Sequence, residues 1–435
     1  MTELIYKKRR DLLSKAIKDN SVVILQSPEE KIRNNDVYYT YRQCSNFYYL
    51  TGYNEPLSIL LLKKQQGKTK TFFYSTKPNK QATIWTGNID SAEKIKKNLQ
   101  IDKCQYLEKF DNDIARFLEN SKNIYYLYSD QSNAKKIIDK HINLLEKKYR
   151  TGIGYPTNFI SLKNILHSMR IIKSKKELSV IRNACSISVN AHKRLMRKCK
   201  PNINEYEMHA ELMHEFIKSN ATEAYPSIVA SGKNACILHY TNNKSTLKNG
   251  DLLLVDAAAE YDNYASDITR TIPINGKFSK YQKIIYNIVL KAQKNAIKKC
   301  IVGNTLYEVH NEAVKTITKE LIKIGFIKTT LSKALKSQEY KKFYMHNTGH
   351  WLGLDVHDPC EYKENGKFVK LKQGMVFTVE PGIYIRKPKG ISSKFHNIGI
   401  RIEDDVLVTN KEPEVLTIKL PKEIKDIENI MSKND

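Results

Sequence analysis

The sequence predicts an α/β N-terminal domain followed by a larger α+β domain, and three observations carry that reading. Over the first third of the chain, short β-branched or aromatic runs alternate with polar, lysine-rich segments of helical spacing. Near residue 170 the alternation gives way to long amphipathic segments, and strand-like runs resume only after residue 250. The length of 435 residues exceeds what one ordinary core supports and fits two domains, 1–168 and 169–435.

In the first domain the expected strands are SVVILQS (Ser21–Ser27), SILLLKK (Ser58–Lys64), KTFFYST (Lys70–Thr76) and NIYYLYS (Asn123–Ser129), each bounded by turn residues. Helical spacing marks Ser91–Asn98 and Asn112–Asn120 between them. In the second domain Ser174 is placed to cap a long helix with Leu178, Ile181, Cys185, Val189, Leu195 and Met196 on one face, and Pro201 stops it. Asn204 opens a helix carrying Met208, Leu212 and Phe216. Further helices are expected over Lys280–Cys300 and Leu306–Ile324, the latter ended by Gly325. Strand signals follow at Leu252–Val255, Ile268–Ile272, Met375–Val379, Gly382–Ile385 and Val406–Thr409.

Composition narrows the function classes. A hydrophobic fraction of 41% with 27% charged residues excludes wholesale disorder. No run approaches the roughly 18 apolar residues of a membrane span, and the N-terminal MTELIYKKRRD has no apolar segment after its basic residues. A cytoplasmic protein without membrane partners is therefore expected. The seven cysteines are scattered with no CxxC, which suggests neither a disulfide framework nor a zinc ribbon. Lys+Arg 73 against Asp+Glu 46 gives a net charge of +27, but the excess is mostly lysine and spread along the chain. That distribution fits a solvated basic surface better than specific nucleic-acid binding.

The segments able to do chemistry lie in the second domain. HAELMH (His209–His214) is no zincin motif, because its histidines are five apart rather than four and do not share a helix face. DLLLVDAAAEYDNYASDITRTI (Asp251–Ile272) ends an apolar strand at Asp256, turns, and carries Asp267 on a second strand. A hairpin folded between Tyr261 and Asp262 would set the two aspartates directly opposite, where like charges repel unless a cation or a shared proton lies between them. MHNTGHWLGLDVHD supplies His346, His350 and His357 in a glycine-punctuated loop. MVFTVEPGIY puts Glu380 at a strand end before a turn, and NIGIRIEDD holds Arg401 and Glu403 with like parity on another strand.

Together these segments resemble the metallopeptidases of the pita-bread fold (the creatinase/aminopeptidase group). The N-terminal YRQCSNFYYLTGYNEP (Tyr41–Pro56) is further similar to the Xaa-Pro aminopeptidases (aminopeptidase P). The resemblance covers nearly the whole chain and is sharpest from about 225 to 409. It implies a pair of divalent cations held by Asp256, Asp267, His350, Glu380 and Glu403, with Asp267 and Glu403 bridging, Asp256 on one ion, and His350 with Glu380 on the other. Four carboxylates and one imidazole suit Mn²⁺ better than thiolate-seeking ions. A hydroxide bridging the ions would attack the carbonyl of the first residue.

By the same resemblance Glu380 serves as general base and then acid, and His239, His346, His357 and Arg401 surround it. Arg401 is expected to orient Glu403 or its neighbours, and Tyr384 is a candidate wall of the proline pocket. The implied substrates are peptides with proline in second position, with prolidase, acting on Xaa-Pro dipeptides, as the alternative. The implied N-terminal domain supports a homo-oligomer (dimer or tetramer), and Trp85 is the candidate to reach a neighbouring subunit's site.

Overall fold

The computed structural model describes residues 3–87, 89–127 and 133–432. Tyr128 and Ser129, the end of the fourth expected strand, lie outside the described residues. The chain divides into two compact units, Met1–Met169 and Arg170–Asp435.

The first unit is built on a six-stranded mixed sheet in the order Lys103–Tyr106, Lys68–Ser75, Ile59–Gln65, Ser21–Gln26, Asn123–Tyr126, Asn158–Ser161. Ser21–Gln26 and Ile59–Gln65 are its centre, and their apolar residues are almost wholly buried. Ile24, Ile59, Leu61 and Ile124 pack against the helix Phe110–Leu118 through Phe110, Ile114 and Phe117. The helix Lys80–Thr86 carries Trp85 with 87% of its surface exposed.

The second unit is organised around two long antiparallel hairpins, each interrupted midway. In the first, Leu252–Asp256 pairs with Thr269–Pro273, and Ala259–Tyr261 pairs with Tyr264–Ala265. One register runs through both pairings, with Leu252 opposite Pro273 and Tyr261 opposite Tyr264. The reversal falls on Asp262 and Asn263, whose φ values of 50° and 64° suit a two-residue turn of the kind that matches strand twist. Asp256 consequently faces Thr269, and the expectation that it faces Asp267 is wrong by two residues. The turn occupies Asp262 and Asn263 instead of falling between Tyr261 and Asp262. Because side chains alternate with period two, the shift keeps both aspartates on one face as diagonal neighbours.

In the second hairpin Val376–Val379 pairs with Asp404–Leu407 and Gly382–Ile385 with Ile398–Arg401, again in one continuous register. Glu380 therefore precedes no turn. It sits in the interruption, where Pro381 has no N–H to give the ladder, and the Ile402 N–H bonds the Pro381 carbonyl at 3.3 Å. The hairpins join where the Glu403 N–H meets the Thr269 carbonyl at 3.1 Å and the Thr271 hydroxyl meets the Arg401 carbonyl at 3.1 Å. The loop after His346 lies against the second hairpin so closely that a Cβ on Gly349 would stand 1.9 Å from the Thr378 carbonyl oxygen.

Long helices cover the outside of these hairpins. Ser174 caps Lys175–Lys198 in a reciprocal box with Glu177, and Ser279 and Thr305 do the same for Lys280–Ile297 and Leu306–Lys323. Their apolar faces (Val189, Leu195, Ile285, Val289, Ile317) share one core with Leu253, Val255, Ile272 and Ile400. His209 and His214 fall on the helix Glu205–Lys218 and pair with Glu223 and Glu215.

One ion cluster lies in the wall between helices and hairpins. Asp404 is fully buried and accepts from Arg270 and Thr417 at 2.7 Å and from Gln293 and Lys422 at 2.6 Å. Burial alone would raise its pKa, but the charges of Arg270 and Lys422 outweigh this and hold it below the usual carboxylate range. Asp404→Ala leaves the buried Arg270 guanidinium without its counter-charge, so a loss of about 3–5 kcal/mol is expected as a lowered urea midpoint of the full chain. A midpoint within experimental error of the parent would contradict this role.

Candidate metal centre

The two interruptions face each other, and acidic residues occupy them. Asp256 and Asp267 come from the first hairpin and Glu380 and Glu403 from the second, while His350 enters from the adjoining loop. Side-chain donor atoms of Asp267, His350 and Glu403 lie within 4.8 Å of one another. His350 Nε2 stands 3.3 Å from Asp267 Oδ2 and 3.7 Å from Glu380 Oε1. Its Nδ1 lies 3.1 Å from the Trp351 carbonyl, so the proton on that nitrogen is held by the backbone and Nε2 is turned to the carboxylates.

Burial and mutual repulsion dominate the electrostatics. Burial, then the charges of Asp267, Glu380 and Asp256, push the Glu403 carboxyl well above its ordinary pKa. Burial raises Glu380 to about 7 against the opposing pull of His350 and Arg401. Asp256 is raised by burial and by Asp267, with Arg401 working the other way. Burial would lower His350, but its hydrogen bond to Asp267 and the nearby carboxylates outweigh that and raise it to about 9. The cluster thus takes up protons wherever cations do not neutralise it.

A surrounding shell fixes the carboxylates. Arg401 donates from Nη2 to Asp256 Oδ2 at 2.5 Å and from Nε to Thr269 Oγ1 at 3.0 Å, and Thr269 donates to Glu403 Oε2 at 2.6 Å. Arg401 therefore orients Asp256 directly and Glu403 through Thr269. The Tyr225 hydroxyl lies 2.7 Å from Asp256 Oδ1 and 2.5 Å from Asp267 Oδ1, spanning both aspartates. Behind Asp267, its own N–H is accepted by Asp405 at 3.0 Å, and the Cys185 thiol donates to the same carboxyl oxygen at 3.3 Å. Thr378 Oγ1 accepts the His350 N–H at 3.2 Å and lies 3.3 Å from Glu380 Oε1.

The five expected ligands, Asp256, Asp267, His350, Glu380 and Glu403, and the four residues expected around them, His239, His346, His357 and Arg401, line one cavity of about 470 Å³. His346 Nε2 is 2.9 Å from the Tyr384 hydroxyl, and its Nδ1 is 2.7 Å from the Asn347 carbonyl and 3.8 Å from Glu380 Oε2. Burial, with the Arg401 charge behind it, lowers His346 to about 3, so its ring is neutral. The His357 ring lies 4.2 Å from that of His350, and its pKa is lowered by burial and by the His350 charge. His239 is exposed at the rim. Tyr384 is buried behind His346 and accepts from Arg401 Nη1 at 2.9 Å, so it supports the histidine and does not line the cavity.

Sequence reasoning missed Tyr225, Thr269, Thr378 and Asp405. Strand parity carries a signal for two of them: Thr269 is two residues from Asp267, and Thr378 two from Glu380, each on the face of its ligand-bearing neighbour. Tyr225 lies just before the edge strand Ile228–Ser231, with no pattern to mark it.

Four hard carboxylates and one imidazole, buried together and clamped by neutral or cationic donors, form a site whose chemistry fits divalent cations. The class defined by this fold and site is that of the metal-dependent hydrolases. Residues 179–410 match the model of metallopeptidase family M24, and residues 6–125 match the N-terminal domain of aminopeptidase P. The chain belongs to metallopeptidase family M24. It is 38% identical to the Xaa-Pro aminopeptidase of Haemophilus influenzae over 98% of this chain and 97% of that one. Its structure is similar to the aminopeptidase PepP of Pseudomonas aeruginosa (38% identity, TM-score 0.96, covering 99% of this chain and 98% of that one). It is also similar to a Zn-substituted Escherichia coli aminopeptidase P in complex with product (34% identity, TM-score 0.97, covering 100% and 99%).

Because Glu380 rests near 7 and His350 near 9 without cations, loading the site at pH 6.5 must expel protons. Calorimetric titration of cation-free protein with Mn²⁺ in two buffers of different ionisation enthalpy should show net proton release, with affinity falling as pH drops below about 9 and more steeply below about 7. An identical heat in both buffers would contradict the protonated cluster.

Proposed function

We propose that this chain is a Xaa-Pro aminopeptidase, releasing the N-terminal residue from peptides with proline in second position, with two divalent ions, Mn²⁺ favoured, held by Asp256, Asp267, His350, Glu380 and Glu403. The observation that carries the reading is the convergence of His350 Nε2 with Asp267 at 3.3 Å and Glu380 at 3.7 Å inside a cavity also lined by Asp256 and Glu403. When bound, the ions supply a water made acidic enough to attack at neutral pH and a Lewis acid for the scissile carbonyl.

The remaining work falls to side chains. Asp256, beside the position of the incoming N-terminus, attracts the free amine and so selects the first residue. Glu380, its Oε1 3.7 Å from His350 Nε2 in the break of the second hairpin, takes the proton of the attacking water and delivers it to the departing proline nitrogen. A neutral His346 can meet developing charge without repelling the nearby Arg401, and Tyr384 holds its ring in place. His239 and His357 are the imidazoles free to contact the peptide from the rim and from the side of His350. Proline has no N–H and a fixed φ, so recognition depends on the shape of its ring against such walls rather than on an amide bond.

The resting place proposed for this activity is the cytoplasm; among the described residues no helix is long and apolar enough to cross a membrane. A homo-oligomer is proposed through the first unit, with the exposed Trp85 reaching a neighbouring subunit's site.

Purified protein with Mn²⁺ should release the first residue from Xaa-Pro-Yaa tripeptides, lose this activity to a chelator and regain it on adding metal back. Cleavage of Xaa-Pro dipeptides alone would make the chain a prolidase, and no cleavage of either would overturn the reading. Asp267→Ala should abolish turnover and metal retention together, while Glu380→Gln should retain metal yet lower kcat by about 10²–10⁴-fold. Near-parental turnover in either variant would remove the role given to that residue.

A further inference from the structure

A second, larger cavity of about 730 Å³ adjoins the catalytic one, and His346, Asn347, Gly349 and Tyr362 line both. It runs between the helix Leu306–Lys323 and residues 344–349. We propose that this groove receives the part of the peptide downstream of proline and favours a carboxylate there, an inference that rests on the aminopeptidase reading above.

Continuity is the first argument. A peptide whose second residue occupies the catalytic cavity must leave it along some wall, and the four shared residues make one wall common to both spaces. Charge is the second. The groove lining includes Lys315 and Lys341 and contains no aspartate or glutamate. Both lysines are exposed, and neither has an ion-pair partner among the described residues. Nearby Lys342 and Lys291, by contrast, pair with Glu339 and Glu320 at 3.2 and 2.6 Å. A concave surface with two unneutralised ammonium groups attracts anions and repels cations. Tyr307, on the same helix as Lys315, and Phe368 add aromatic surface to the lining. Tyr307 is 49% exposed and stacks on Phe368 with ring centroids 4.6 Å apart, and Lys363 Nζ lies over the same Phe368 ring at 4.5 Å. Flat aromatic faces of this kind accept extended peptide without demanding a particular side chain.

The test compares kcat/KM for Ala-Pro-Ala-Ala-Glu-Ala amide, its Lys counterpart and the tripeptide amide Ala-Pro-Ala-NH2, which carries no carboxylate. The Glu peptide should exceed the Lys peptide by about five-fold, the scale expected of exposed ion pairs, and the gap should shrink in high salt. Lys315→Glu combined with Lys341→Glu should reverse the order while leaving the tripeptide and the melting temperature unchanged. A free C-terminus should act like Glu, whereas an amide should not, if either source of carboxylate is accepted. Equal rates for the two hexapeptides, or a preference untouched by the charge reversal, would overturn the proposal. If even the tripeptide is not cleaved, the aminopeptidase reading fails instead. The groove is then judged by fluorescence anisotropy of labelled Pro-Ala-Ala-Glu-Ala, whose binding the double variant must weaken for the proposal to stand.

Discussion

The structure depends on crowding four carboxylates into one buried space. Asp256, Asp267, Glu380 and Glu403 meet where two antiparallel ladders are broken, and a broken ladder is where side chains of opposing strands can converge instead of alternating past each other. Such crowding is unfavourable by itself, as the raised pKa values of Glu380 and Glu403 show. Protons or cations relieve that repulsion, and the same repulsion favours a site for cations.

The surrounding residues turn that repulsion into a defined geometry. Arg401 and Tyr225 are rigid, planar donors, and between them they engage both first-hairpin aspartates. Thr269 passes the influence of Arg401 on to Glu403. None of these groups withdraws all the lone pairs of a carboxylate, so orientation is fixed while coordination remains open. Asp405 extends the arrangement inward: burial and the Asp267 charge raise its pKa well above the ordinary value, and a neutral acid can lie behind Asp267 without adding to the negative charge.

Much of this was legible in the sequence, for an identifiable reason. Asp256, Glu380 and Glu403 stand at the ends of apolar strands, and a charge that interrupts an apolar run is conspicuous on a single line of text. The strand Ser21–Gln26 and the helices starting after Ser174 and at Lys280 were equally plain, since propensity and pattern agreed, with a cap read at Ser174. The hairpin register was not, because a turn at Asp262–Asn263 and one a residue earlier leave the same apolar alternation. Tyr225 was invisible because it acts through a hydroxyl delivered from a different element, with its own neighbours giving no period. In the first unit the strands Lys103–Tyr106 and Asn158–Ser161 were missed: they are short, and their alternation is weak.

The overall charge and the local charge point in opposite directions, and the contrast bears on how the molecule works. A chain of net charge +27 nevertheless gathers Asp256, Asp267, Glu380 and Glu403 around one cavity. Were the carboxylates exposed, surface lysines could reach over and neutralise them. Burial within the hairpin breaks prevents that, and leaves Arg401 and His350 as the cationic groups in direct contact with them. The basic exterior can then act on what approaches, drawing anionic parts of a ligand to the surface, while the interior keeps its own sign. Keeping the two charge systems apart is what leaves the buried carboxylates available to cations while the surface meets the peptide.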